Sequence, residues 1–243
     1  CLFGFEMAYF EKAGAKTRWV GHPGFQAAIA RRKNAADFRG RHHIGEGPLL
    51  AVLPGSRAAE LKRHGTPFCG AIERLSAEFE NLRVVVPAAP GMEAPVRALA
   101  SGWSGEAVIV EGDERFDAYA AADAALAASG TATAELAIFG TPMVVAYKVD
   151  FLTELWARSV LTTPYVSLVN IAAGNCVAPE LLQRACAPEK LAAALAPLLR
   201  DGPQRQRQLD AFPAIVRSLA GEGPPGDAAA NAILGWLDHG KSA

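Results

Sequence analysis

The residues best suited to chemistry sit at a junction reading Ala128-Ser129-Gly130-Thr131-Ala132-Thr133-Ala134-Glu135, where an apolar run gives way to a helical pattern. Glycine in such a turn lets a ligand approach the backbone closely. Free N–H groups at a helix start, with about +0.5 charge from the macrodipole, favour an anion such as phosphate. Ser129 and Thr131 add hydroxyl donors. Glu135, about one turn on, is placed to accept both ribose hydroxyls of a nucleotide. The competing reading is an ordinary helix start with hydroxyl caps and an acidic first turn. Local chemistry leaves both open.

A second junction, Leu53-Pro54-Gly55-Ser56-Arg57 followed by Glu60, has the same character. Gly55 permits an unusual backbone angle, Ser56 follows it, and Arg57 offers a forked donor suited to phosphate oxygens. The spacing and the Lys-Ser/Thr ending of a Walker A loop are absent. An ordinary turn with a solvated Arg is the alternative. A third pair of segments is Tyr165-Val166-Ser167-Leu168-Val169-Asn170 and Pro179-Glu180-Leu181-Leu182-Gln183. Asn170 and Gln183 flank apolar stretches and can hydrogen-bond a sugar or a base edge; the plainer reading is a short strand and a helix start near Pro179. His22 in Gly21-His22-Pro23 is an acid or base, or a turn histidine. His42-His43 lack a third ligand at metal spacing and read as solvated. Phe151, Leu152, Leu155 and Trp156 form an apolar helical face suited to core packing or to acyl chains.

These junctions need a scaffold, and the patterning supplies one. Leu49–Leu53, Arg83–Val86, Ala107–Val110, Ala124–Ala128 and Met143–Tyr147 read as strands. Helical spacing lies between them, at Pro67–Phe79, Met92–Ala100, Phe116–Ala122 and Thr131–Phe139. Continuous apolar strands alternating with helices predict an α/β fold: a Rossmann-like, doubly wound parallel sheet covered on both faces. Ligands of such sheets bind at the carboxyl ends of the strands, where both glycine junctions fall. Residues 1–20 carry a helical piece over Phe5–Ala13 and a strand-like Thr17–Val20, and resemble the tail of a preceding domain. Arg31 to His43 is basic and irregular, a surface helix and linker. After Pro188 the chain reads as helical: Pro188–Arg200, Pro203–Ala220 and Asp227–Leu237, with a Gly/Pro break at Gly221–Gly226.

Composition narrows the class. The 243 residues are 51% apolar and 20% charged, enough for a packed core and too apolar for wholesale disorder. A net charge of −1 and a pI near 6.6 argue against nucleic acid as a partner. The four cysteines, at positions 1, 69, 176 and 186, form no CxxC pair, so a reducing compartment is expected rather than a disulfide-stapled fold or a zinc ribbon. No apolar stretch of about 18 residues exists, so no spanning helix is expected. The chain opens on Cys1 inside an apolar run and reads as a fragment.

Six motifs in order carry a resemblance. Gly21-His22-Pro23, Leu53–Arg57 with Glu60, and Ser129–Thr133 with Glu135 come first. Pro142-Met143-Val144-Val145 with Tyr147, Tyr165–Leu168 with Asn170, and Glu180–Gln183 follow. Together they resemble the lipid-A-disaccharide synthases. The resemblance implies the C-terminal half of a GT-B fold, with the active site in a cleft between two Rossmann-like domains. It implies transfer of 2,3-diacylglucosamine from UDP-2,3-diacylglucosamine to 2,3-diacylglucosamine 1-phosphate, through a β-1,6 bond and with release of UDP. It implies no cofactor, no metal, and work in the cytoplasm, peripheral on the inner membrane; a homo-oligomer is left open. Carried over by motif, Arg57 steadies the pyrophosphate or the acceptor phosphate, and Ser129, Gly130 and Thr131 cradle the UDP phosphates. Glu135 holds the ribose; Asn170, Gln183 and Tyr147 line the cleft, Asn170 sharing with Arg57 the catalytic role of stabilising the leaving group or substrate, with Gly55 and Ser56 in the Arg57 turn. Residues 1–20 become the end of an N-terminal acceptor domain and linker, 21–220 the UDP-sugar domain, and 221–243 a helix packing back on the missing domain. That domain is expected to supply the general base. Gly24 and Gln26 stand where the family usually has Leu and Asp. Other UDP-sugar enzymes of the same architecture, such as a peptidoglycan N-acetylglucosaminyltransferase or a UDP-GlcNAc epimerase, and a noncatalytic nucleotide-binding module are the alternatives.

Overall fold

The computed structural model describes residues 1–31, 35–104, 106–128, 130–149, 163–221 and 223–240, with side chains to 237. The apolar runs form the six strands of one parallel sheet. They are β1 (Leu49–Leu53), β2 (Arg83–Pro87), β3 (Ala107–Val110), β4 (Ala124–Ala127), β5 (Met143–Tyr147) and β6 (Glu180–Leu182). Their spatial order is β3-β2-β1-β4-β5-β6. All pairs are parallel; Leu50 lies opposite Val84 on one side and Ala124 on the other.

Every residue of β1 is buried, because both faces of the sheet are covered. Alternation divides its side chains between two cores. Leu49, Ala51 and Leu53 join one, Leu50 and Val52 the other. The second core is roofed by α4 (Ala58–Glu78), α5 (Glu93–Ala100) and Pro188–Leu195. The first is roofed by α2 (Pro23–Ile29), α6 (Glu114–Ala121), α7 (Ala132–Phe139) and Pro203–Ala220. In chain order the remaining helices are α1 (Met7–Lys12), α3 (Ala35–Arg41), α8 (Leu168–Ala173), α9 (Pro188–Leu195), α10 (Pro203–Ala220) and α11 (Pro225–Gly240).

Several expectations change. α4 begins at Ala58, not Pro67, and carries Pro67 inside it. Proline suits a first helical turn, which is why the sequence suggests a start there. Here the helix is nucleated earlier, where Glu60 stands in its first turn and accepts the Ser56 amide at 2.8 Å. Tyr165–Asn170 is not a strand: Ser167 caps α8, its hydroxyl oxygen accepting the Asn170 amide. The segment after Pro179 is strand β6, not a helix start; the Pro179 carbonyl accepts the Val145 amide, and Glu180 pairs with Val145. Proline at a strand's entry loses no ladder bond that it needed. Thr17–Val20 forms no strand and is tied to the first residues, with Val20 N donating to Cys1 O and Trp19 Nε1 to Leu2 O. The basic stretch is anchored rather than merely solvated. Arg39 reaches Ala121 O and Asp123, whose Oδ2 also accepts the Leu49 amide, and His42 Nε2 lies 2.9 Å from Glu114.

Chain entry and exit meet at one place. His22 N and Gln26 Nε2 both donate to Ala220 O, and Gln26 also donates to Gly221 O. Gly21 has φ +85°, and a Cβ there would lie 2.3 Å from Ala220 O. Beyond this crossing α11 exposes Ile233, Leu234, Trp236 and Leu237. Phe3 packs on His22 and Phe25, so the first residues rest on this domain.

Phe68, fully buried on the inner face of α4, tests the second core. Phe68→Ala should lower unfolding free energy by about 3–5 kcal/mol in urea denaturation, the usual cost of emptying an aromatic core site. A smaller loss than 1 kcal/mol would contradict this packing.

Candidate functional site

The strands bring both glycine junctions to one end of the sheet. β1 and β4 are neighbours, and the helices that follow them leave to opposite faces, so a crevice opens between their carboxyl ends. It encloses about 490 Å³. Gly55, Ser56, Arg57 and Glu60 form one wall, and Gly130, Thr131 and Glu135 another. Tyr147, at the end of β5, also lines it.

Gly55 has φ +127°, in the region that favours glycine, and a Cβ there would fall 2.5 Å from Glu60. The turn and the carboxylate are therefore built for each other. Glu60 Oε2 accepts the Ser56 amide at 2.8 Å, and Tyr147 Oη donates to Oε1 at 3.2 Å. Arg57 Nη1 lies 3.5 Å from Oε1, while the Arg57 side chain stays 79% exposed. Its guanidinium keeps donors available to a ligand in the crevice. Burial, then Glu60, raises the Tyr147 pKa, so the phenol is a proton donor at neutral pH.

Gly130 has φ +136°, and a Cβ there would meet nothing within 4 Å, so backbone angle rather than crowding selects glycine. Thr131 is the residue before α7, and its hydroxyl makes no cap bond. Thr133 instead turns back, donating to Gly130 O at 2.8 Å. At the start of α7 the Thr133 and Ala134 amides already donate to Gly130 O and Thr131 O, and the amides ahead of them stand at the positive end of the helix dipole. Ser129 lies outside the described residues, as do Phe151, Leu152, Leu155 and Trp156.

Glu135 is held by residues that the sequence reading overlooked. Arg115 Nε is 3.5 Å from Glu135 Oε2, and the buried Tyr119 faces the same carboxylate. Burial, then Glu135, holds Tyr119 protonated, far above its ordinary range. Arg115 and Tyr119 both line the crevice, as do Pro87–Pro90 at the end of β2 and Gly112. Arg115 stacks over Phe116, its guanidinium 4.0 Å from the ring centroid. Neither residue sits in a glycine motif, so only the topology could have brought them here. His22 caps α2 through Nδ1, which accepts the Phe25 amide at 3.3 Å. Its pKa is lowered, by burial first, although Glu135 acts in the opposite sense.

Two expected residues are elsewhere. Asn170 is 0% exposed and does not line the crevice. Its Oδ1 accepts Val177 N and Ala178 N at 2.8 and 2.9 Å; its Nδ2 donates to Ala178 O and Glu180 Oε1, both at 2.8 Å. That uses both donors and both acceptor sites of a carboxamide, leaving none for a ligand. Gln183 lies past β6, in a separate groove with Arg63, Lys148 and Arg184, and its Oε1 accepts the Val149 amide at 2.9 Å. Among the described residues no group of three or more His, Cys, Asp or Glu is placed to hold a metal, and no helix is long and apolar enough to cross a membrane.

The profile of the family described as lipid-A-disaccharide synthetase matches residues 1–221. The chain is similar to the lipid-A-disaccharide synthase of Gluconobacter oxydans, with 37% identity over 242 residues, 98% of this chain and 58% of that protein. It is 41% identical to that of Paramagnetospirillum magneticum over 240 residues, 97% of this chain and 61% of that protein. The chain thus spans well under two thirds of the length of these curated relatives. Its fold resembles a putative UDP-N-acetylglucosamine 2-epimerase from Listeria monocytogenes, with TM-score 0.59 and 16% identity over 96% of this chain and 57% of that one. It also resembles the spinosyn rhamnosyltransferase SpnG complexed with thymidine diphosphate, with TM-score 0.51 and 18% identity over 90% of this chain and 50% of that one. At such identities the likeness is one of fold.

Asn170→Ala strips the buried Ala178 amide of its acceptor and removes a donor from Ala178 O and from the Glu180 carboxylate. It should cost about 2–4 kcal/mol of stability in chemical denaturation, from unpaired buried groups. Nucleotide affinity of the fraction that stays folded should hardly change. A selective loss of affinity at full stability would return Asn170 to the binding site.

Proposed function

The chain belongs to the lipid-A-disaccharide synthase family, and on that premise we propose that it supplies the nucleotide-sugar half of such an enzyme. The whole protein would move 2,3-diacylglucosamine from its UDP ester to 2,3-diacylglucosamine 1-phosphate, forming the β-1,6 bond and releasing UDP, at the cytoplasmic surface of the inner membrane. The observation that carries this reading is that Arg57, the Gly55 turn, the Gly130 turn and Glu135 share one crevice.

In this reading the diphosphate of UDP lies between the two glycine turns. The start of α7 and the Arg57 guanidinium face the charge that grows on the departing UDP. Such groups speed transfer because they are fixed before the bond breaks and need no reorganisation. Glu135, steadied by Arg115 and Tyr119, takes the ribose hydroxyls. An attacking acceptor hydroxyl must also lose its proton to a base. Glu60 and Glu135 are both engaged by partners inside the crevice, and on the family resemblance we assign the base to a part of the enzyme that this chain does not span. Residues 1–20 and the apolar face of α11 are read as the surface that meets that part. Fold likeness to an epimerase carries less weight, because 16% identity speaks to architecture only, against 37–41% for the synthases.

Titrating UDP into the purified chain tests the reading. Binding is expected, and Arg57→Ala and Glu135→Ala should each weaken it about tenfold or more, the worth of one charge-assisted hydrogen bond. A folded chain that ignores millimolar UDP, or variants that bind as well as the parent, would refute it.

A further inference from the structure

We propose that His64 is a positioning residue for this crevice, a latch that joins its Gly55 wall to its Tyr147 wall through a neutral imidazole. The inference rests on the reading of the crevice as a nucleotide site, and deepens it.

The need for a latch follows from the sheet. The Gly55 turn follows β1 and Tyr147 ends β5, but β4 stands between those strands, so no ladder hydrogen bond joins them. α4 crosses the gap. Glu60 and His64 are four residues apart and share one face of that helix. Glu60 ties Ser56 N to Tyr147 Oη. One turn on, His64 makes a second, parallel tie. Its Nδ1 lies 2.7 Å from Pro54 O, the residue before Gly55, and its Nε2 accepts the amide of Lys148, the residue after Tyr147, at 3.1 Å. The ring is 0% exposed and is flanked by Phe68 at 5.4 Å and Tyr147 at 5.3 Å between centroids.

A carbonyl on one nitrogen and an amide N–H on the other admit a single state: neutral, with the proton on Nδ1. Protonation would set an Nε2–H against the Lys148 N–H, two donors face to face, and open one side of the latch. The groups facing the ring are Glu60 and Arg63 from α4, Tyr147 and Lys148 from the end of β5, and the Pro54 carbonyl. Burial is the largest influence and lowers the pKa below the ordinary 6.5; Arg63 and Lys148 act the same way, while Pro54 O and Glu60 oppose them. The unfolded chain therefore binds more protons at this site below pH 6.5. The latch's contribution is full at neutral pH and is lost as pH falls from there toward the lowered folded value.

The experiment measures UDP affinity calorimetrically between pH 5.5 and 7.5 for the chain, His64→Ala and His64→Gln, with thermal melts alongside. Gln keeps an acceptor for the Lys148 amide but does not titrate. At pH 7.5 His64→Ala should bind UDP about tenfold more weakly, the scale of one lost buried hydrogen bond, and Gln should recover most of that. As pH falls below 6.5 the parent should lose thermal stability relative to Gln, and it should lose affinity relative to Gln where the folded ring itself takes a proton, a ratio from which the titration of UDP itself cancels. A folded parent that binds no UDP overturns the functional reading of the crevice. A parent that binds, with both variants matching it at every pH, overturns the latch alone. Should the variants fail to fold, ¹⁵N spectra of the parent decide: the Nδ1–H tautomer with resonances that move on adding UDP supports the latch, and the Nε2–H tautomer or indifference to UDP refutes it.

Discussion

Everything at the functional end of this domain depends on two adjacent strands whose helices part company. β1 hands over to α4 on one face of the sheet, and β4 to α7 on the other. The space vacated between them is the crevice, and no side chain had to be carved away to make it. Its walls are as firm as the sheet. β1 and β4 are buried along their whole length, and their side chains are shared between two cores. Close packing of that kind resists small displacements, so the glycine turns at the strand ends inherit fixed positions.

A pocket proposed for a diphosphate contains two carboxylates, which at first sight is poor electrostatics. The structure resolves this by giving each its own donors. Glu60 is occupied by the Ser56 amide and the Tyr147 hydroxyl, with Arg57 beside it; Glu135 is occupied by Tyr119 and Arg115. Charge that is satisfied locally repels a bound anion much less than bare charge would. The arrangement also makes the carboxylates structural: each is a hub on which several elements converge.

The legibility of the sequence tracks this division. Strands buried on both faces write themselves as unbroken apolar runs, so β1 to β5 and the two glycine turns can be read directly. So can the convergence of Arg57 and Glu135, because strand ends in a parallel sheet point the same way. What local patterning cannot convey is how a side chain spends its hydrogen bonds. Asn170 resembles a ligand-facing amide in the sequence, yet the chain folds around it and fills all four of its bonding positions. Glu60 and His64 are the opposite case: nothing local marks the bonds they make, and only the crossing of α4 over β4 shows them joining distant loops. Pro67 misleads about the start of α4 because a proline rule is statistical, whereas the bond from the Ser56 amide to Glu60 is a specific interaction. The edge strand β6 is short and half-exposed, which leaves little apolar signal to read.

The crossing of Gly21 with Ala220 and Gly221 has a mechanical consequence. A domain whose incoming and outgoing chains are stitched together holds the two passes at one fixed point on its surface. The crossing stays slim because both glycines present only hydrogen at the contact. Bulk at either would prise the two passes apart and break the stitch between them.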